Sequence, residues 1–217
     1  MAIKLQEKMV TIALGASGES LEGIFLAGAS GDDRGAVIAP PHPLYGGSMD
    51  SPVATELAFS CHRSGIATLR FNWRGVGASA GAPSGEEAVA DEDYGAALAH
   101  MAETVPGALL ACGYSFGSAA AVRAAEHSPR VRRLVLVAPP PALIAPARIA
   151  ALRARTLVIT GDRDNFVSVP ALEAAFASTA NVTLRVLRGA DHFFMDGQSA
   201  LGREAIEWLG GGGEGDP

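Results

Sequence analysis

Residues 108–118 read ALLACGYSFGS, and this stretch decides how the rest of the chain is interpreted. Its apolar first half predicts a buried strand over Ala108–Gly113, and the Ala-rich run behind it predicts a helix over Phe116–His127. Between the two, Gly113, Ser115 and Gly117 fit the pattern G-x-S-x-G. Side chains at the glycine positions would collide with the adjoining strand and helix, and the serine would take a strained backbone conformation. The stretch therefore predicts a sharp turn that presents the serine hydroxyl at a helix N-terminus, where negative charge is favoured.

The pattern alone also fits an ordinary Gly/Ser-rich turn, but an acid and a histidine follow it at informative places. Asp164 comes shortly after the predicted strand Thr156–Gly161, and His192 comes shortly after the predicted strand Val182–Leu187. A neutral histidine can take the proton of a weakly nucleophilic serine hydroxyl, and a buried acid fixes the histidine tautomer and stabilises its protonated form. We therefore predict that Ser115 attacks, that His192 shuttles the proton and that Asp164 orients His192.

The rest of the chain alternates short Val-, Ile- and Leu-rich runs with Ala-rich amphipathic segments, which is the pattern of a parallel sheet covered by helices. The first two runs, Met9–Leu14 and Leu21–Leu26, leave no room for a helix between them and predict an antiparallel hairpin at the sheet edge. The predicted fold class is α/β, with one mostly parallel, twisted, eight-stranded sheet and helices on both faces. We expect a single domain over residues 1–209 and a disordered Gly-rich tail over residues 210–217.

Composition and charge exclude several classes of partner. The chain has 217 residues, 48% of them apolar, so it can bury a large core. A net charge of -6 and a pI near 5.3 leave no basic face for nucleic acid or anionic lipid. No apolar run is long enough for a signal peptide or a membrane span, so we expect a cytoplasmic protein without a membrane partner. The expected partner is a small neutral molecule.

Nothing in the sequence suggests a cofactor or a metal. Cys61 and Cys112 have no metal-like spacing and are predicted to be buried packing residues without a disulfide. Residues 70–77 contain two glycines and an arginine but no phosphate-binding pattern. We interpret them as a structural loop with Arg74 in a salt bridge.

Four motifs in order carry a resemblance to a known family: residues 41–49 (PHPLYGGSM), 70–77 (RFNWRGVG), 113–117 (GYSFG) and 189–194 (GADHFF). They resemble the α/β-hydrolase superfamily across residues 8–209, and more narrowly its small cap-less members related to dienelactone hydrolase. The resemblance implies a single-domain α/β-hydrolase fold. Many relatives insert a helical cap after the strand that corresponds to Val131–Ala138, but here only residues 139–155 precede the next predicted strand. No large cap is therefore expected, and the site should be open.

The resemblance also assigns the acid. In such enzymes it is the second Asp of a G-D-x-D segment, which falls on Asp164. Asp162 stays as an alternative acid and is otherwise interpreted as a turn residue. Asp191 is adjacent to His192 in sequence, so its carboxylate is poorly placed to reach the inner ring nitrogen, and we interpret it as a turn former.

Two backbone N–H groups are needed to stabilise the oxyanion of a tetrahedral intermediate. The resemblance places the first on Phe116, directly after the nucleophile, and the second on Leu44, with Tyr45 as an alternative. The sequence departs from the family's His-Gly-x loop at Pro43, which has no N–H. His42 is predicted to stabilise this loop through a hydrogen bond to the backbone.

These features together predict a serine hydrolase that cleaves carboxylic esters through an acyl-enzyme on Ser115. Tyr45, Phe166 and Phe193 are expected to contact the substrate. A thioesterase or another acyl hydrolase would use the same three catalytic residues, and a non-catalytic binding scaffold is a further alternative. The sequence leaves monomer and homodimer open.

Overall fold

The computed structural model describes residues 6–16 and 18–211, through which one eight-stranded sheet runs. Strands form at the Val-, Ile- and Leu-rich runs because such side chains suit a buried, pleated surface. In chain order the strands are β1 (Lys8–Ala13), β2 (Ser20–Leu26), β3 (Gly35–Ala39), β4 (Ala67–Phe71), β5 (Leu109–Tyr114), β6 (Val131–Val137), β7 (Arg155–Gly161) and β8 (Val182–Leu187).

The strands are arranged in the order β1-β2-β4-β3-β5-β6-β7-β8. β2 pairs antiparallel with both β1 and β4, whereas the remaining neighbours, from β4 across to β8, pair in parallel. This arrangement confirms the predicted mostly parallel sheet with an antiparallel hairpin at one edge.

Six α-helices lie among the described residues: α1 (Pro52–Arg63), α2 (Glu87–Thr104), α3 (Phe116–His127), α4 (Pro146–Ala151), α5 (Val169–Phe176) and α6 (Gln198–Gly210). The connection through α1 runs from β3 to β4, and the connection through α2 runs back past β3 to β5. Parallel crossovers are right-handed, so this reversal puts α1 and α2 on opposite faces. Because α6 packs on α1 and α3 packs on α2, both faces of the sheet are covered, as predicted.

Two short elements go beyond the sequence prediction. α4 has six residues with only Ile149 buried, which is too short to display a helical period. A 3-10 turn covers Pro43–Tyr45, with His42 as its N-cap. Both lie in connections that follow a parallel strand, so the main alternation of strands and helices is unaffected.

The core lies in the centre of the sheet, where every residue of β3, β4 and β5 is buried. Tyr94 of α2 is fully buried, and its hydroxyl lies 3.0 Å from the Val37 carbonyl oxygen and 3.1 Å from that of Cys112. Cys61 and Cys112 are buried and unpaired, as predicted. Within residues 6–16 and 18–211, no helix is long and apolar enough to cross a membrane.

The end of the last helix corrects one predicted boundary. α6 includes Gly210, and the N–H of Gly211 donates to the Glu207 carbonyl oxygen at 3.0 Å, so the first two residues of the predicted tail continue or close the helix. The backbone hydrogen bonds of the last turn hold these glycines, although they have no side chain to bury. Residues 212–217 of the predicted tail lie outside the described residues.

Candidate active site

The candidate site lies where the strand connections change direction. The connection after β3 leads to β4 on one side, whereas the connection after β5 leads to β6 on the other. The two loops therefore diverge at the carboxyl ends of neighbouring strands, which is the position at which open α/β sheets bind ligands. Ser115 follows β5, and the 3-10 turn Pro43–Tyr45 follows β3.

The turn between β5 and α3 is as sharp as the sequence predicts. Ser115 has φ 52° and ψ -117°, a left-handed conformation that non-glycine residues seldom adopt. A side chain at Gly117 would place its Cβ 2.5 Å from the Pro40 carbonyl oxygen. The buried Ser118 hydroxyl donates to the Gly113 carbonyl oxygen at 2.8 Å, which ties the first turn of α3 to the end of β5. The backbone thus holds the Ser115 hydroxyl at the start of α3.

Asp164 follows β7 and its carboxylate is wholly removed from solvent, with 0% of the side chain exposed. One carboxylate oxygen, Oδ1, accepts the N–H groups of Phe166 at 2.8 Å and Val167 at 2.9 Å. The other oxygen, Oδ2, lies 2.7 Å from Nδ1 of His192. The backbone donors fix the carboxylate so that its second oxygen faces the histidine.

His192 connects this carboxylate to the serine. Its Nε2 lies 3.1 Å from the Ser115 Oγ, while its Nδ1 faces Asp164, and the residue is 8% exposed. The structure therefore brings together the three side chains that the sequence predicts as nucleophile, base and acid. Because the Asp164 oxygen accepts the hydrogen bond from Nδ1–H, the unprotonated Nε2 is left to accept the serine proton.

The loops that carry the acid and the histidine are tied to each other. The N–H of Arg163 donates to the Ala190 carbonyl oxygen at 3.0 Å, and the N–H of Gly189 donates to Asp162 Oδ1 at 2.6 Å. Asp162 thus closes a turn, as predicted, and of the two carboxylates it is that of Asp164 that reaches His192. Asp191 accepts the N–H of Met195 at 3.2 Å, which agrees with its interpretation as a turn former.

Tyr114 is a contact that the sequence analysis missed. Its hydroxyl donates to the His192 carbonyl oxygen at 2.9 Å. Burial raises the pKa of the Tyr114 phenol, and the carboxylates of Asp164 and Asp191 raise it further, so the hydroxyl stays protonated and remains a donor. The bond spans 78 residues of sequence, and nothing local to Tyr114 signals it.

The predicted oxyanion donors differ in their surroundings. Phe116 is the first residue of α3, so its N–H has no carbonyl partner within the helix and faces the end where the helix dipole favours an anion. The N–H of Leu44, in contrast, donates to His42 Nδ1 at 3.2 Å, and the N–H of Tyr45 donates to the His42 carbonyl oxygen at 3.1 Å. The 3-10 turn thus uses both predicted second donors internally. His42 stabilises this loop by bonding to the backbone, as predicted.

Comparison with known protein families identifies the family of this chain. Residues 45–206 match the family model described as an alpha/beta hydrolase domain. The chain belongs to the alpha/beta hydrolase family. This finding confirms the resemblance carried by the four sequence motifs.

Individual relatives agree with this assignment. An uncharacterized protein of Rickettsia prowazekii (strain Madrid E) is 29% identical over 191 residues, which cover 80% of this hydrolase and 77% of that protein. An alpha-beta serine hydrolase homologue from Coxiella burnetii superposes with a TM-score of 0.83 at 27% identity, covering 96% and 99% of the two chains. A serine hydrolase without a lid from Xanthomonas campestris gives a TM-score of 0.78 at 26% identity, covering 95% and 97%.

Trp73 braces the loop that carries Leu44 in this hydrolase and is a second residue that the sequence analysis missed. Its indole Nε1–H lies 3.0 Å from the carbonyl oxygen of Pro41 and 3.3 Å from that of Pro40. The buried ring also meets Phe116 edge to face, with centroids 5.8 Å apart. One side chain therefore contacts both the loop that carries Leu44 and the residue after the nucleophile. The neighbouring Arg74 forms the predicted salt bridge, with Nη2 at 2.7 Å from Asp93.

The residues predicted to contact substrate are exposed around this buried centre. Tyr45 is 86% exposed, Phe166 67% and Phe193 56%. The structure divides them between two sides. The Phe166 and Phe193 rings lie against His192, whereas the Tyr45 ring lies against His42, with centroids 4.8 Å apart.

Proposed function

We propose that this protein is a serine hydrolase that cleaves carboxylic esters through an acyl-enzyme on Ser115. The observation that carries the proposal is the continuous hydrogen-bonded series from the Ser115 Oγ to His192 Nε2 at 3.1 Å and from His192 Nδ1 to Asp164 Oδ2 at 2.7 Å. The serine hydrolase homologue from Coxiella burnetii and the lidless serine hydrolase from Xanthomonas campestris support the same class.

The first half of the reaction transfers the acyl group to the protein. Ser115 Oγ attacks the ester carbonyl carbon while His192 Nε2 takes the hydroxyl proton, and the buried Asp164 carboxylate stabilises the resulting imidazolium. The tetrahedral intermediate then collapses. The bond between the carbonyl carbon and the alcohol oxygen breaks, Nε2 returns the proton to that oxygen, and the acyl group stays on Ser115.

The negative charge of the intermediate needs donors that are in place before the reaction. In this proposal the Phe116 N–H is the first, and the N-terminal end of α3 adds its dipole. Leu44 serves as the second donor if its N–H exchanges His42 Nδ1 for the oxyanion, which is a stronger acceptor because it is charged. The brace from Trp73 keeps the loop beside Phe116 during this exchange.

The second half of the reaction releases the acid. Water takes the place that the alcohol has left, His192 removes one of its protons, and the oxygen attacks the acyl carbon. The bond to Ser115 Oγ breaks, and His192 returns the proton to that oxygen. The protein thereby regains its starting state without a cofactor in any step.

The test is hydrolysis of a p-nitrophenyl ester series from acetate to palmitate, together with labelling by a fluorophosphonate probe. The variants are Ser115→Ala and, as a matched control, Ser199→Ala at an exposed position of α6. We expect Ser115→Ala to lose labelling and about 10⁶-fold in kcat, as for a nucleophile removed from such a group. The Ser199→Ala variant should match the wild type.

Other results would redirect the assignment. Faster cleavage of a matched thioester than of the ester would make the protein a thioesterase with the same residues. A wild-type protein that neither turns over nor labels would contradict the proposal and favour a non-catalytic scaffold.

A further inference from the structure

Two exposed phenylalanine rings flank His192. The ring centroid of Phe166 lies 4.9 Å from that of His192, and the centroid of Phe193 lies 5.6 Å from it. The two phenylalanines also meet each other edge to face at 6.4 Å. Both side chains are more than half exposed, although burying an aromatic ring of this size is strongly favourable.

The backbone that carries the rings is fixed by the bonds of the site itself. The N–H of Phe166 donates to Asp164 Oδ1, and Phe193 directly follows His192, whose carbonyl oxygen accepts the Tyr114 hydroxyl. The backbone at both positions is therefore held beside the histidine by the bonds that also hold the site.

The chemistry of ester cleavage defines which part of a substrate meets these rings. When the tetrahedral intermediate collapses, Nε2 must give its proton to the alcohol oxygen, so that oxygen lies within hydrogen-bond distance of Nε2. The carbonyl oxygen points instead toward the Phe116 N–H. The group attached to the alcohol oxygen consequently leaves the site along the His192 side, where Phe166 and Phe193 lie.

The charge of the surrounding loops limits which alcohol groups this side of the site can bind. The two loops that hold the rings, residues 162–168 and 188–197, contain four Asp and two Arg residues: Asp162, Asp164, Asp191, Asp196, Arg163 and Arg188. This balance is net negative, so it disfavours a phosphorylated or carboxylated alcohol more than a neutral one. The exposed ring faces offer apolar and aromatic contact.

We propose that Phe166 and Phe193 form the leaving-group subsite, so that the preferred substrates are esters of apolar alcohols, aryl or alkyl, that carry no negative charge. This inference rests on the proposed ester hydrolysis and specifies which side of the substrate, the alcohol side, the protein recognises. A macromolecule or a lipid surface seated on the two rings would cover Nε2. In the reacting state the occupant is therefore the alcohol portion of the substrate.

The test compares benzyl acetate with methyl acetate, which share the acyl group and differ in the alcohol. The variants are Phe166→Ala, Phe193→Ala and the double variant, with Phe166→Leu and Phe193→Leu to retain apolar volume. Met9→Ala, which shortens an exposed apolar side chain of the edge strand β1, is the matched control. We expect the ratio of kcat/KM for benzyl over methyl acetate to fall about tenfold in the double alanine variant. The leucine variants should lose less of the ratio, and Met9→Ala should leave it unchanged.

A second readout separates recognition from a structural role. Hydrolysis of a preformed acetyl-enzyme takes place after the alcohol has left, so its rate should be the same in the wild type and in the alanine variants. An equal loss for both esters and for deacylation would mean that the rings only shield His192, and would overturn the subsite.

Different results would contradict the leaving-group subsite and the proposed ester hydrolysis. An active hydrolase whose benzyl-to-methyl ratio survives the double substitution would overturn the subsite alone. A wild-type protein that cleaves neither ester and takes no fluorophosphonate would remove the proposed function, and this inference with it.

Discussion

The candidate site has two regions that differ in how their side chains are held. The floor, formed by Trp73, Tyr114, Ser115, Asp164 and His192, is mostly buried, and each side chain has a hydrogen-bond partner at a defined atom. The rim, formed by Leu44, Tyr45, Phe166 and Phe193, is exposed, and its three aromatic side chains make ring contacts. The geometry of the buried side chains is therefore set before a substrate arrives, whereas the exposed surface around them is free to vary.

The largest effects should follow from breaking the floor at its charged centre. His192→Ala removes the proton acceptor and should lower kcat by about 10⁶-fold. Asp164→Asn keeps the size of the side chain but presents an amide to His192 Nδ1, so the histidine takes the wrong tautomer and kcat should fall about 10⁴-fold. Steady-state kinetics on p-nitrophenyl acetate measure both. Tyr45→Ala, on the rim, should change kcat by less than about tenfold. A similar loss of kcat in the rim and floor variants would contradict the distinction between the two regions.

A second prediction concerns the stability of the turn that carries the nucleophile. In Gly117→Ala the new methyl group would lie 2.5 Å from the Pro40 carbonyl oxygen and 2.8 Å from the Ala39 Cβ, so the backbone must shift. We expect the free energy of unfolding to fall by about 3 kcal/mol. Gly95→Ala is the matched control, because a Cβ at this position of α2 meets no atom within 4 Å.

The Gly95 control should move in the opposite direction. Alanine is the better helix former, so Gly95→Ala should raise the free energy of unfolding by about 0.5–1 kcal/mol. Urea denaturation of the three proteins gives the comparison. Equal stabilities for the two variants would show that the elbow tolerates a side chain and that its glycines are not required.

A third prediction concerns the brace that Trp73 provides for the loop that carries Leu44. Trp73→Phe keeps a buried ring but removes the N–H that bonds the Pro40 and Pro41 carbonyl oxygens. We expect a loss of about 1 kcal/mol in the free energy of unfolding. The value of kcat should fall about tenfold with little change in KM, because the loop loses its position rather than a substrate contact.

The matched control for the brace is Trp208→Phe. The Trp208 Nε1 is buried without a hydrogen-bond partner among the described residues, so its removal breaks no such bond. Activity should therefore be unaffected in this variant. If both tryptophan variants lose kcat to the same extent, the effect belongs to packing in general and Trp73 has no positioning role.

The smallest effect concerns the pH dependence of the 3-10 turn. Burial lowers the pKa of His42, whose neutral Nδ1 accepts the Leu44 N–H. As the pH falls through the unfolded pKa, near 6.5, the unfolded chain binds more protons at this residue than the folded protein does. This contribution to stability is therefore present at higher pH and is lost as the pH decreases.

His42→Asn isolates that contribution. Asparagine can still accept the Leu44 N–H as an N-cap residue, but it does not titrate. Lowering the pH from 8 to 5 should decrease the free energy of unfolding of the wild type more than that of the variant. Urea denaturation at the two pH values measures this difference, and an unchanged value would show that His42 does not couple the turn to pH.

Those residues of the floor that directly follow strands could be predicted from the sequence. Ser115, Asp164 and His192 each follow a parallel strand, so topology alone brings them to one edge of the sheet. The strand and helix alternation is equally local, which is why the fold could be predicted with small errors at element ends, such as Gly210.

The contacts that could not be predicted join residues far apart in sequence. The Trp73 indole reaches Pro41 across 32 residues, and the Tyr114 hydroxyl reaches His192 across 78. No periodicity or motif encodes such pairs, because they depend on how loops close after the sheet has formed. The hydrogen bond from the Leu44 N–H to His42 joins neighbouring residues. It was still not predicted, because the sequence departs from the family pattern at Pro43.

If the proposed reaction is correct, Ser115 becomes acylated during turnover, and mass spectrometry of the quenched protein detects the acyl group. The protein is mixed with excess p-nitrophenyl butyrate, stopped in acid within the first turnovers, and digested for peptide mapping. We expect a butyryl group on the peptide that contains Ser115, and no such adduct in Ser115→Ala. Turnover by the wild type without an acyl group on Ser115, or with one on another residue, would contradict it.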